Sequence, residues 1–377
     1  MRSLASPKGR SYIYAIDFVR AGTIIGVVMV HSVRFALAAS APLWGGLLQM
    51  FLQYGRESFM VVTGFVLAHQ YLDRQPNWWS FWSRRYQAVL FPYLVWLALF
   101  VAMSYPLWPL IPWFKEYVRV LPTGNGHLYY LVLTMELYVV APLFLALVAW
   151  GRRHPWTLAS FAVIWELGSW TLAGYLGERS FAPQMLVITY TGYFLLGGLA
   201  AAHWSHVRTW AKAHAAMVSA LVVAGLVLMA GVYGADWAWK HSLGFATNVF
   251  QPVSVVYSLI ITLGLFTAGT WFEGARDRRP TWDVWVRRIG NASFGIYLVH
   301  PIFVHGWLDF TGPSALAINP WLNTLLTALV ALSMSLLTIS WLQGRARLAW
   351  LVGKPRTVVG RLRRVAAQSP KSSTLTG

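Results

Sequence analysis

Arg20 and His31 stand eleven residues apart in an otherwise apolar stretch, YAIDFVRAGTIIGVVMVHSVRFAL, residues 14–37. At 3.6 residues per turn that spacing leaves them only about 20° apart around a helix axis and roughly 16 Å apart along it. The stretch is long enough to span a bilayer. Charged or titratable groups there are costly unless they face a bundle interior or a wet cavity. One helix face would therefore carry a fixed cation near one membrane surface and an imidazole near mid-depth. Imidazole can act as a general base near neutral pH without large tuning. Asp17 is placed to pair with Arg20 at i, i+3. The plainer reading of His31 is a polar residue bridging two helices.

Other polar residues sit in comparable surroundings. RIGNASFGIYLVHPIFVHGW puts His300 about eleven residues into its segment, so its depth matches that of His31, and two imidazoles at one depth fit a common cavity. Pro301 follows directly and should kink or open the helix. Arg56 and Glu57 lie in YGRESFMVVTGFVLAHQY, where they read as a registering ion pair or as a substrate contact. HLYYLVLTMELYVVAPL places His127 at a segment mouth and Glu136 about two turns deeper. A carboxylate at that depth must pair, protonate or meet water, and Arg56 is a candidate partner. Glu166 raises the same question. Arg84 and Arg85, in FWSRRYQAVLFPY, read either as surface charge or as an anchor for ligand phosphates, to which planar guanidinium groups are suited.

The elements that position these groups follow from hydropathy. The 377-residue chain is 57% hydrophobic and only 11% charged, with 22 Trp and no Cys. A soluble domain is about one quarter charged, so the composition is that of a polytopic membrane protein. Absent cysteine excludes disulfides, thiolate metal sites and a cysteine acyl-enzyme. Ten apolar stretches recur, at roughly 14–37, 45–71, 87–105, 128–150, 156–174, 185–203, 214–233, 247–271, 289–308 and 321–343. The expected fold is an all-α transmembrane bundle over residues 1–343, with a basic, partly disordered cytoplasmic tail over 344–377.

Basic residues cluster on alternate loops, among them Arg84 and Arg85, Arg152 and Arg153, Arg208 and Lys212, and Arg287 and Arg288. The opposite loops hold Lys115, Arg119, Arg179 and Lys240. By the positive-inside rule both termini are cytoplasmic, which an even number of spans satisfies. The net charge of +18 is then topological and does not imply nucleic-acid binding. The basic N-terminus and Ala36-Leu37-Ala38-Ala39 could pass for a cleaved signal peptide, but Asp17 and Arg20 interrupt its apolar region. There is no P-loop, GxGxxG, HExxH or GxSxG, and no helix carries histidines at metal-ligand spacing.

In this order the motifs resemble the acyltransferase-3 family of polytopic membrane acyltransferases. The resemblance rests on Asp17-x-x-Arg20 followed by His31, on FMVVTGFVLA, on FWSRR running to PY, on HLYYL and on SFGIYLVHP. It implies a cytoplasmic acyl-CoA donor, acetyl by family frequency, and a hydroxyl acceptor on an envelope glycan or glycolipid. It also implies a bacterial plasma (inner) membrane location. Arg20 and His31 match the family's essential arginine and histidine, and Thr63 stands where a serine is usual. Ala88 occupies the place of a second donor-binding arginine, which leaves Arg84 and Arg85 for the CoA phosphates. No metal is implied. In this scheme His31 deprotonates the acceptor, and His300 or Tyr297 stabilises the oxyanion. Glu136, Arg56, Glu57 and His127 remain candidates for acceptor contact. The competing expectation is a glycan or lipid transporter, its intramembrane charges lining a pathway.

Overall fold

A computed structural model describes residues 12–38, 40–74, 76–176, 186–275, 278, 280–312 and 319–353. All regular structure among them is helical. The long helices are α1 (Tyr14–Ser32), α3 (Tyr54–Tyr71), α4 (Trp78–Ser104), α8 (Pro155–Leu176), α11 (Ala215–Lys240), α13 (Pro252–Ala275), α14 (Pro280–Thr311) and α15 (Pro320–Gly344). Shorter pieces join them: α2 (Pro42–Leu52), α5 (Leu110–Val120), α6 (Tyr129–Val139), α7 (Ala141–Gly151), α9 (Thr191–Ala202), α10 (Trp204–Ala213) and α12 (Leu243–Ala246).

Five of these segments are long and apolar enough to cross a bilayer, namely Tyr14–Leu37, Trp78–Ser104, Ala215–Lys240, Pro252–Ala275 and Pro320–Gly344. A sixth crossing is formed if Gly126–Val139 and Ala141–Gly151, bent by 70°, count as one. The expectation of ten spans is thus larger than length and composition support. The remaining segments fall short for physical reasons. The stretch at 45–71 breaks at Gln53 into α2 and α3 and carries Arg56 and Glu57. Helix α8 is diluted by Trp, Ser, Thr, Gly and Glu166. Val187–Ala202 is short. The apolar part of α14, expected as a span over 289–308, is diluted by Asn291, His300, Pro301 and His305.

Proline shapes two of the elements that matter. A proline in a helix removes the N–H that would bond the carbonyl four residues back. Pro142 sits in the first turn of α7 just past the 70° break. There the carbonyl of Tyr138 at the end of α6 has no helical donor, and the indole N–H of Trp82 on α4 donates to it at 2.6 Å. Pro301, inside α14, removes the donor for the carbonyl of Tyr297, with a different replacement described below.

Helix α1 occupies the middle of the bundle, against α3, α13, α14 and α15. Its backbone is approached closely on two sides. A Cβ on Gly269 of α13 would lie 2.8 Å from the carbonyl oxygen of Ala15, and one on Gly290 of α14 would lie 2.5 Å from that of Asp17. Small residues at such crossings are the usual means by which membrane helices pack. Helices α3 and α9 cross in the same way, Gly64 on the backbone of Phe194 and Gly197 on that of Val61. Residues 345–353, at the start of the expected tail, fold back onto the bundle. Trp96 of α4 donates to the carbonyl of Leu351 at 2.9 Å, and Ala349 and Val352 are buried. The remainder of the expected tail lies outside the described residues.

Candidate active site

Helix α1 delivers His31 at its last turn, and the chain then continues as a π-helical turn over Val33–Leu37. Wide turns of this kind are concentrated at functional sites. The imidazole faces inward. Its ring centroid lies 5.0 Å from that of His300 and 6.4 Å from that of His127, and it stacks on Phe35 at 6.3 Å. His127 and His300 are 5.4 Å apart, so three imidazoles close a triangle. The sequence placed two of them at one depth. It left His127 at the mouth, because the turn that carries it inward is a tertiary feature. Gly124 (φ +76°) and Gly126 (φ +54°) take left-handed conformations that a side chain would resist, and the following 3₁₀ turn Gly126–Leu128 drops His127 among the helices.

Tyr297 lies beside this triangle, 5.2 Å from His127 and 5.5 Å from Tyr130 between ring centroids. Its hydroxyl is buried without a hydrogen-bond partner, as are Nε2 of His127 and Nε2 of His300. The protonation of His300 follows from its other nitrogen. Nδ1 lies 2.9 Å from the carbonyl oxygen of Tyr297 and 3.0 Å from that of Ile296. Carbonyl oxygens only accept, so Nδ1 carries the proton and answers the carbonyl that Pro301 orphans. In the neutral ring Nε2 is then a lone-pair acceptor. It cannot donate to an oxyanion without a second proton, whereas the Tyr297 hydroxyl can.

Arg20 lies on the same helix, half-buried, with Asp17, Tyr12 and Tyr130 as electrostatic neighbours. The expected Asp17–Arg20 pair does not form. Asp17 accepts a hydrogen bond from the Tyr12 hydroxyl instead, and no ion pair of Arg20 occurs among the described residues. Burial and the contact with Asp17 push the Tyr12 phenol up to about 12. Tyr130 bridges the two ends of the site. It neighbours Arg20, its ring packs on Tyr297, and its hydroxyl pairs with that of Thr63 at 2.8 Å.

The remaining candidates lie elsewhere. Arg56 gives two hydrogen bonds to Oε1 of Glu57, at 2.9 and 2.5 Å, and one to Tyr129 at 3.4 Å. The rings of Trp170, Tyr190 and Phe250 surround its guanidinium at 5.3 to 5.5 Å. Glu136 does not pair with Arg56; it accepts from the backbone N–H of Val187 at 2.7 Å. Glu166 accepts from the N–H groups of Gly192 and Tyr193, at 2.9 and 3.3 Å. Both carboxylates therefore cap the start of the Val187–Ala202 helix, where free N–H groups and the helix dipole favour negative charge. Arg85 donates to Gln70 at 2.5 Å and lies over the rings of Tyr71, Phe81 and Tyr138. Arg84 is exposed. No described contact links either arginine to Arg20. Among the described residues no group of three or more His, Cys, Asp or Glu could hold a metal ion.

The profile of the acyltransferase-3 family, described as an acyltransferase domain, matches residues 13–341. No curated protein and no solved structure matches the chain. The match runs from the residue before α1 into the last turns of α15, so it takes in every side chain of the imidazole site as well as Arg20. The chain belongs to the acyltransferase-3 family and is a membrane acyltransferase.

Proposed function

We propose that this acyltransferase moves an acyl group, acetyl by family frequency, from acyl-CoA on the basic, cytoplasmic side to a hydroxyl of a cell-envelope glycan or glycolipid. The observation that carries this reading is the meeting of His31, His127, His300 and Tyr297, from three separate helical segments, roughly 16 Å along α1 from Arg20, which has no ion pair among the described residues. The CoA phosphates stay near the inner surface while the pantetheine arm carries the thioester past Arg20 toward His31.

His31 takes the proton of the acceptor hydroxyl as its oxygen attacks the thioester carbon. The carbonyl oxygen becomes an oxyanion, to which the free Tyr297 hydroxyl donates. Collapse breaks the carbon–sulfur bond, and the proton held by His31 passes to the departing thiolate, giving the ester and free CoA. Nε2 of His300 accepts a hydrogen bond from the protonated His31 ring and so favours its formation. His127 flanks His31 and Tyr297 where the acceptor would enter. Arg56, Glu57 and Glu136 hold helices.

The test is acyl transfer from labelled acetyl-CoA to envelope extract by purified protein in nanodiscs. His31→Ala should lower the rate about 10²- to 10⁴-fold, the usual weight of a general base, with the melting temperature unchanged. Wild-type rates in that variant would overturn the assignment.

A further inference from the structure

A second feature lies at the basic end of the bundle, away from the imidazoles. A cleft of about 380 Å³ opens between the start of α1, the first turns of α14 and the last turns of α15. Its polar lining includes Tyr12, Arg287, Arg288, Asn291, Ser340 and Gln343. On α14 the arginines and Asn291 are three or four residues apart, so they present one helix face.

Three observations bear on what this cleft takes. First, its cations are only partly answered. Arg287 gives one Nη to Asp283 at 2.6 Å, while its Nε–H is buried without a partner. Arg288 has the Ser340 hydroxyl at 3.3 Å and the Trp285 ring, but no carboxylate among the described residues. Second, Tyr12 and Tyr14 stand edge to face, 4.8 Å apart, at the cleft wall, which offers a flat base an aromatic surface. Third, α14 has 32 residues, about 48 Å of helix against a hydrocarbon core of about 30 Å. Arg287 and Arg288 precede Gly290, where a Cβ would meet the α1 backbone at Asp17, and Arg288 is exposed.

From these we infer that the cleft of Arg287, Arg288 and Asn291 binds the phosphorylated nucleoside end of the acyl donor, as a phosphate-and-base subsite distinct from Arg84 and Arg85. Paired guanidinium forks suit phosphate oxygens, and the volume suits a nucleotide-sized group. The cleft borders the start of α1, where Tyr12 reaches Asp17, one turn from Arg20. This inference rests on acyl-CoA being the donor.

The experiment measures equilibrium binding of coenzyme A, 3′,5′-ADP and pantetheine to the full chain in nanodiscs. Wild type, R287Q/R288Q, R287K/R288K and R84Q/R85Q are compared, with melting temperature as the folding control. The glutamine pair should weaken coenzyme A and 3′,5′-ADP at least tenfold and leave pantetheine unchanged. The lysine pair should recover part of the loss, and R84Q/R85Q should lower 3′,5′-ADP affinity less than R287Q/R288Q does. Unchanged coenzyme A affinity in R287Q/R288Q, or an equal loss for pantetheine, overturns the subsite while leaving the donor reading intact. Absence of coenzyme A binding to wild type overturns the donor reading, and the subsite with it. A lipid headgroup is the other source of phosphate. If native mass spectrometry finds phosphatidylglycerol retained by wild type and lost from R287Q/R288Q, and that lipid displaces 3′,5′-ADP, the cleft is a lipid site and the inference fails.

Discussion

Two intramembrane polar regions in this enzyme are built on opposite terms. Around Arg56 each charge meets an answer inside the protein. The guanidinium has Glu57 and three aromatic rings, and Glu136 and Glu166 hold helix N–H groups. Around His31 the reactive ends face one another without partners: Nε2 of His127, Nε2 of His300 and the Tyr297 hydroxyl. Free atoms alone do not separate the regions, since Oε2 of Glu57 and Oε1 of Glu166 are also buried without a hydrogen-bond partner. The difference is that each of those carboxylates keeps a partner on its other oxygen, Arg56 or the helix N–H groups. Burial does not separate the two regions, since Glu57 and His300 are both fully buried.

The sharpest way to break the contrast is to remove one half of the ion pair. Glu57→Leu leaves Arg56 buried without its counter-ion, which should cost about 3–5 kcal/mol. It would appear as a large fall in melting temperature and in folded yield, and replacing Arg56 by Met as well should restore much of the loss. Tyr297→Phe tests the other side. Deleting a hydroxyl with no partner should leave the melting temperature in place, yet transfer should fall about 10²- to 10³-fold as an oxyanion donor is lost. Glu136→Gln keeps an acceptor for the Val187 N–H, so it should cost about 0.5–1.5 kcal/mol in denaturant titrations with kcat unchanged. The smallest effect belongs to Pro301→Ala. It returns an N–H to the Tyr297 carbonyl, competes with His300 Nδ1 for it and loosens the imidazole. Stability should hold or rise, while kcat falls less than tenfold with little change in KM.

The pattern of what the chain disclosed in advance follows the same division. The helical class and the central importance of α1 were legible, because apolar runs and an eleven-residue spacing are local properties. The matched depth of His31 and His300 could also be read by counting residues. The place of His127 could not, since it depends on two left-handed glycines turning a loop inward. Glu136 and Glu166 look like stranded charges in one dimension; their N–H partners lie 51 and 26 to 27 residues away. Asp17 looked like the partner of Arg20 by spacing alone, and Tyr12 reached it instead. The count of ten spans is not confirmed, since five or six segments are long and apolar enough to cross. Breaks at Gln53 and Val140 show that apolar length does not specify one straight rod.

The fold-back after α15 bears on the order in which the molecule is assembled. Leu351 receives its hydrogen bond from Trp96, and a Cβ on Gly353 would touch Phe294 of α14. Chains are made from the N-terminus, so the seam between α4 and α14 waits for the last helix to be inserted before it can be filled. Ribosomal products stopped short of this wedge would hold every histidine of the site and still lack the keystone between those two helices.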